Sequence, residues 1–237
     1  PHANMTPRSN PHADRAPMST LRAHFPDFTR SMLRALVNSH DTTALLDGEE
    51  LSSVDRMNAL VGMMAAHPEG RRILAERPRV SSETVDFAAL ARLPQGTLGR
   101  EFVEHLRRNQ LDQDTLCAPV TRGPSDTANY LLERVRQTHD VWHTVHGLGA
   151  APYEEVLAHA FQWSQLRMPY SALVVVFGTF KHFVGEARWQ VLRRTFPAAV
   201  QAGRDAHPLL PVYWEDHWDE PLDRLRARLN VRPASAW

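Results

Sequence analysis

An all-α fold built as a single helical domain is predicted by three observations. From Thr29 onward the apolar residues recur at helical spacing, Pro or Gly punctuates most junctions between such stretches, and no stretch sustains the alternation of an exposed strand. The one β-branched run, Val174-Val175-Val176, sits inside a longer helical pattern. Leu33, Leu36 and Val37 mark a first helix. Met57, Leu60, Val61, Met64 and Ala65 mark a second, expected to start near Ser53 and to stop before Pro68-Glu69-Gly70. Short helices follow over Arg71 to Glu76 and Asp86 to Leu93. Pro94-Gln95-Gly96 then turns the chain into a helix from Leu98 to Asn109 with Phe102, Val103 and Leu106 inward. A loop rich in Pro and Gly precedes a long helix from about Thr127 to His146, for which Ser125 or Asp126 is a suitable N-cap and Gly147 a suitable stop. Pro152 opens the next helix, to about Arg167, and Pro169 opens an apolar one. Helices near Ala187 to Val200 and Pro221 to Leu229 complete the pattern. The expected organisation is a disordered leader or expression remnant over 1–27, one helical domain over 28–231, and a tail over 232–237.

Composition excludes several function classes. The 27 basic and 27 acidic side chains cancel, so no overall field draws the chain to nucleic acid or to an anionic bilayer. With Cys117 as the single cysteine there is no internal disulfide and no thiolate zinc cage, so a metal must be held mainly by nitrogen and oxygen. The longest apolar stretch, Ala172 to Phe180, is far shorter than the roughly 20 residues that span a bilayer. A cytoplasmic protein, or one peripheral to the inner membrane, is the expectation. The basic set contains one Lys, Lys181, a bias that reflects GC-rich coding, and the 13 His invite a metal reading that has to be tested position by position.

Only one stretch passes that test. His139 and His143 are four apart and so lie one turn apart on one helix face, where two imidazoles reach the same ion; His146 continues that face. Eleven residues separate His143 from Glu155, which falls in the first turns of the following helix. A helical hairpin returns Glu155 to the histidines and completes two nitrogens and a carboxylate, with Asp140 as fourth ligand or as a partner of a ligand. The bland alternative is a pair of histidines satisfied by backbone or by Asp140. A zinc-peptidase reading fails because Asp140 stands where that motif needs Glu. A His–Asp phosphohydrolase needs a further His and Asp, for which His105 and Asp205 can be nominated without support from their surroundings.

The pattern His139-Asp140-x-x-His143, then eleven residues and Glu155, resembles the signature of the coenzyme Q biosynthesis protein 4 family, an all-helical family of ubiquinone biosynthesis. Pro68-Glu-Gly-Arg-Arg-Ile-Leu-Ala-Glu-Arg-Pro78, Leu93-Pro-Gln-Gly-Thr-Leu-Gly99-Arg-Glu-Phe102 and Tyr130-x-x-x-Arg134-x-Arg136-x-x-His139 are similar to it in the same order, over roughly Ser53 to Leu229. The resemblance implies that His139, Asp140, His143 and Glu155 ligate a divalent metal, zinc in the usual assignment, with a redox metal such as iron as the alternative. It also implies a hydrophobic aromatic or prenylated ring as ligand, association with other biosynthetic enzymes, and support of oxidative decarboxylation of the ring. A homo-oligomer is expected besides, and the balanced charge predicts no nucleic-acid partner. Arg136 and His146 are the candidate catalytic side chains; Arg136 pairs with a substrate carboxylate or phosphate, or else forms a structural ion pair. Arg134 is the more structural of the two arginines, and Tyr130 donates to a ligand or packs. The run Met168 to Phe183 lines a groove for an isoprenoid tail, or else is the central buried helix.

The chain departs from the family pattern around the metal, with Glu154 where Gly is common, His159 where Lys is common, Gln162 where an acidic residue follows, and His146. These departures leave two other readings open: a divergent bacterial relative in specialised metabolism, acting as a hydrolase or cyclase, and a lipid-binding scaffold with a structural metal.

Overall fold

In the computed structural model, residues 27, 30, 42–184 and 189–237 are described. Among them the chain is helical, with no strand and one isolated bridge between Thr97 and Pro221. The helices are α1 (Thr42–Ala66), α2 (Pro68–Glu76), α3 (Phe87–Leu90), α4 (Leu98–Asn109), α5 (Asp126–Gln137), α6 (His139–His146), α7 (Pro152–Leu166), α8 (Pro169–Val184), α9 (Trp189–Asp205) and α10 (Leu222–Leu229). Short 3₁₀ turns occupy Gln113–Cys117, Trp214–His217 and Ala234–Ala236. The expected leader, Asp27 excepted, and the helix marked by Leu33, Leu36 and Val37 lie outside the described residues.

Local chemistry sets most of the boundaries. Pro68 and Pro152 stand in the first turns of α2 and α7, where a missing N–H costs nothing. Ser125 caps α5 by accepting from Ala128 N at 3.1 Å, and Gly147, at φ 68°, ends α6 in the left-handed region that a side chain disfavours. Two expectations are corrected. The helix before Pro68 begins at Thr42 rather than near Ser53, because α1 is held along its length by partners distant in sequence: Glu49 by Arg136, and Glu50 by the amides of Thr121 and Arg122. The long helix over 127–146 is two helices, α5 and α6, divided at Thr138, where the backbone leaves helical geometry (φ −95°, ψ 0°) while the Thr138 N–H still donates to the Arg134 carbonyl at 3.0 Å.

The larger apolar cluster gathers α1 to α6, the C-terminal part of α7, Ala202 of α9, the Leu209 to Trp214 segment and α10. Phe102, fully buried, stacks on Trp218 with centroids 5.6 Å apart. A smaller cluster joins Leu148, Val156, Leu157, Ala160, Leu192 and Ala199, so α7 and α9 share a seam. Trp237, in the segment expected to be a tail, packs against both clusters. Helix α7 is flanked closely on two sides. A Cβ at Gly203 of α9 would lie 1.8 Å from Ser164 Oγ and 2.8 Å from the Phe161 carbonyl oxygen, and one at Gly178 of α8 would lie 2.5 Å from Val156 Cγ2. Only glycine permits these approaches. Helix α8 corrects the central-helix reading: Met168, Tyr170 and Ser171 at its start are buried, while Val176 and Phe180 are 61% and 65% exposed. Its apolar character therefore faces outward at the far end.

Candidate metal centre

Helices α6 and α7 form the predicted hairpin, joined by Gly147 to Ala151. Glu154 braces the turn by accepting from Gly149 N at 3.0 Å and Ala151 N at 3.2 Å, which gives that departure from the family pattern a structural task. Across the hairpin three ligand atoms converge. His139 Nε2 lies 3.1 Å from His143 Nε2 and 3.3 Å from Glu155 Oε2, and His143 Nε2 lies 3.5 Å from the same oxygen. Donors about 2.0 to 2.2 Å from a tetrahedral ion stand roughly 3.4 Å from one another, so the triangle has the dimensions of one face of such a site.

The hydrogen bonding behind the triangle states which atoms carry protons. His143 Nδ1 lies 2.8 Å from the Gly149 carbonyl oxygen, an acceptor only, so Nδ1 carries the hydrogen and Nε2 presents a lone pair to His139 and Glu155. A lone pair facing a carboxylate at 3.5 Å is repulsive unless a cation or proton lies between them. The electrostatics agree. Burial by itself would lower the His139 pKa, but the hydrogen bond and charge of Glu155 override it and raise it to about 9. Burial likewise opposes ionisation of Glu155, and the two histidines hold it well below the ordinary carboxylate range nonetheless. The donor set and its field both fit a divalent cation. His143 is sealed from solvent, whereas the side chains of His139 and Glu155 are 18% and 35% exposed, so the centre opens on the Glu155 side.

The remaining candidates fall in different places. Asp140 is not among the converging atoms: its Oδ1 faces His105 Nε2 at 3.8 Å, and although burial would raise its pKa, His105, His139 and His143 keep it lowered. Arg136 turns away toward α1, where Nε donates to Glu49 at 2.6 Å and Nη2 to the Leu46 carbonyl at 2.7 Å; of its two readings, the structure displays the ion pair. His146 is buried against Phe161, with ring centroids 4.0 Å apart, and donates from Nδ1 to the Trp142 carbonyl at 2.6 Å. It shares the helix face only in projection, since α7 and Trp237 cover that end. Arg134 forms a two-pronged pair with Glu215 at 2.5 and 2.8 Å, and Tyr130 donates to the Pro78 carbonyl. His159 lies beside His139, with centroids 5.3 Å apart, and its Nδ1 is 3.3 Å from Ser171 Oγ. Asp205 pairs with Arg232 on the surface, far from the histidine cluster in its bonding, which leaves the phosphohydrolase pairing without its carboxylate.

Three neighbours of the centre carry no local signal in the sequence. Glu49, on α1, contributes to the raised pKa of His139; Tyr170, on α8, meets His159 edge to face at 5.6 Å; and His105, on α4, lies 5.7 Å from His143 between ring centroids. Each arrives from a helix distant in sequence. A cleft of about 480 Å³ is lined by His105, Asn109, Thr144, Gly149 and Arg226 among others, and none of His139, His143 and Glu155 lines it.

Comparison with known proteins extends beyond the motif. The family model described as "Coenzyme Q (ubiquinone) biosynthesis protein Coq4" matches residues 14–235. The mitochondrial ubiquinone biosynthesis protein COQ4 homolog of Mus musculus is 33% identical over 98% of this chain and 92% of its own length. The Homo sapiens COQ4 homolog is 35% identical over 81% of this chain and 71% of its own length. A crystal structure of a Nostoc punctiforme protein, named as a candidate for ubiquinone biosynthesis, has the same fold, with a TM-score of 0.70 at 23% identity over 86% of this chain and 97% of that one. With a match running nearly end to end, the chain belongs to the coenzyme Q (ubiquinone) biosynthesis protein Coq4 family.

Proposed function

We propose that this protein of ubiquinone biosynthesis uses His139, His143 and Glu155 to hold a divalent metal beside a hydrophobic aromatic ring intermediate, and that it supports oxidative decarboxylation of that ring. The observation that carries the reading is the His143 tautomer: the Gly149 carbonyl commits Nδ1 as donor and leaves Nε2 as a ligand lone pair. A divalent ion held by these donors supplies a Lewis acid for a phenolate or carboxylate oxygen. Two imidazoles and one carboxylate serve zinc, the usual assignment, and also iron(II). An oxidative step needs an oxidant of the dioxygen class from outside the protein.

The chain's own residues support the reading in three ways. Glu154 fixes the turn that carries Gly149, so the tautomer is set before any ligand arrives. The exposure of Glu155 leaves one side of the centre approachable, as a ligand-exchanging site requires and a closed structural one does not. The outward apolar end of α8 supplies surface for a prenyl chain or for the interface of a bilayer; no helix among the described residues is long and apolar enough to cross one. Peripheral attachment, other enzymes of the pathway and a second copy of the chain are the partners this reading expects.

Elemental analysis of the purified chain beside His143→Ala and Glu155→Ala tests the metal, and incubation with a prenylated, ring-carboxylated phenol under air tests the reaction by mass spectrometry. Stoichiometric metal lost in both variants, with release of carbon dioxide by the wild type alone, is the expected outcome. Wild type without metal after replete growth refutes the centre. Metal with tight ring binding and no conversion converts the reading to a scaffold.

A further inference from the structure

His159 stands one turn along α7 from Glu155, and its ring lies beside that of His139, with centroids 5.3 Å apart. Its two nitrogens are placed differently. Nδ1 meets the hydroxyl of Ser171, 3.3 Å away in the first turn of α8. Ser171 is fully buried, and among the described residues this is the one hydrogen bond its hydroxyl makes. A buried O–H left undonated is costly, whereas an unused lone pair is tolerated, so Ser171 donates to Nδ1 and the hydrogen of the His159 ring resides on Nε2. That N–H has no protein partner among the described residues, yet it is not sealed from solvent. The hydroxyl of Tyr170 is in the same situation: its ring is buried edge-on against His159 at 5.6 Å, while its oxygen has no protein partner and is not sealed. Two donors on side chains more than nine-tenths buried are thus left unused beside a centre that opens on the Glu155 side.

We propose that His159 and Tyr170 recognise an oxygen of the aromatic ring ligand, the Nε2–H and the phenolic hydroxyl donating to it as it enters beside Glu155, and that Ser171 is the positioning residue that commits Nε2 as the donor. The inference rests on the ring-binding reading above and adds to it the side chains that select the ligand. Committed donors discriminate sharply against a ligand without the matching acceptor, because they are then left unpaired, and only weakly among apolar substituents. The pair therefore reads the oxygenation of the ring rather than the length of a prenyl chain. Neither residue is among the converging ligand atoms of the metal centre, so ring affinity and metal affinity are separable.

The test titrates the full, metal-replete chain by calorimetry under nitrogen, so that binding is read without oxidation. Three probes are used: a prenylated, ring-carboxylated phenol, the same ring without its hydroxyl, and the same ring without its carboxylate. His159→Phe keeps an aromatic ring and removes the donor, and Tyr170→Phe removes the hydroxyl alone. Each raises the Kd of the complete probe about tenfold, the low end for a hydrogen bond to a charged group. The truncated probe that keeps the recognised oxygen loses as much; the other binds wild type and variants alike. His159→Gln, whose amide offers a donor in place of Nε2, regains most of the affinity, and Ser171→Ala, which releases the tautomer, loses part of it. Metal content by elemental analysis stays at the wild-type level in all four variants. Should His159→Phe fail to fold, Tyr170→Phe and Ser171→Ala carry the comparison. A folded His159→Phe with the wild-type Kd overturns the proposal, as does an equal loss for all three probes, which would assign the effect to packing. Wild type that binds none of the three overturns the ring-binding reading itself.

Discussion

His143 donates from Nδ1 to the Gly149 carbonyl at 2.8 Å, and that bond makes the turn of the α6–α7 hairpin part of the metal centre. The ligand's orientation is thereby written into backbone rather than into another side chain. Metal affinity is then coupled to folding, since the unfolded chain has no such turn.

Metal removal follows from this coupling. An ion that binds only the native state, present at about 100 times its Kd, adds about 2.7 kcal/mol of stability. Treatment with a chelator is expected to lower the melting temperature by several degrees, and re-addition of the ion should restore it. In His143→Ala the chelator should make no difference; an equal drop in that variant would mean the ion binds elsewhere.

The Arg136–Glu49 pair is expected to matter for stability first. Both side chains are almost fully buried, at 3% and 8% exposure, so removing one leaves an uncompensated charge, a loss of about 3 to 5 kcal/mol. Arg136→Leu should lower the urea midpoint sharply, and Arg136→Leu/Glu49→Leu should recover a good part of it. If the double variant is no more stable than the single one, the pair is not the reason Arg136 is needed.

Acid sensitivity has a named source in His146. Burial pushes its pKa from 6.5 down to about 3, against the bond it donates to the Trp142 carbonyl, while the unfolded chain takes up a proton below the ordinary value. The native state therefore loses stability as pH falls below 6.5, and the loss levels off only near 3. Between pH 7.5 and pH 5.5 this amounts to about 1.4 kcal/mol. Urea titrations at those two pH values should show His146→Leu losing less than wild type by that amount, whereas equal losses would assign the sensitivity to other groups.

Peripheral attachment, if it rests on α8, depends on few side chains. Phe180 and Val176 are the most exposed large apolar residues described, with Phe177 beside them. Each fully inserted apolar side chain contributes about 1.5 to 3 kcal/mol, so Phe180→Ser should weaken sedimentation with phospholipid vesicles about tenfold or more. Because the chain's charges balance, the binding should change little with salt. Strong loss of binding at high salt, or an unaffected Phe180→Ser, would move the attachment elsewhere.

The sequence made some of this legible and not the rest, for physical reasons. Helix periodicity, the Pro152 start and the Gly147 stop are local signals, and they located the hairpin that brings Glu155 to His139 and His143. Thr138 was not readable as a break, because a threonine is no helix stop by itself: Thr144 and Thr195 make the same hydroxyl bond to the carbonyl four residues back inside unbroken helices. The start of α1 was missed because its support comes from Arg136 and from the Thr121 and Arg122 amides, distant in the chain. Arg136 has the correct spacing to face the metal, yet the α5–α6 break and the buried Glu49 direct it to α1. His105 is the sharpest case: nothing around it in the sequence distinguishes it from the other histidines, and only the packing of α4 against α6 brings it to Asp140.

The two glycine contacts on α7 bear on the centre without touching it. With Gly203 admitting Phe161 and Ser164, and Gly178 admitting Val156, the helix that carries Glu155 is seated in notches on both flanks. A side chain at either glycine would push α7 away from its neighbour, and with it the Glu155 carboxylate that faces the two imidazoles. The seating of the helix that carries Glu155 thus depends on residues with no side chain at all, one helix removed from any ligand.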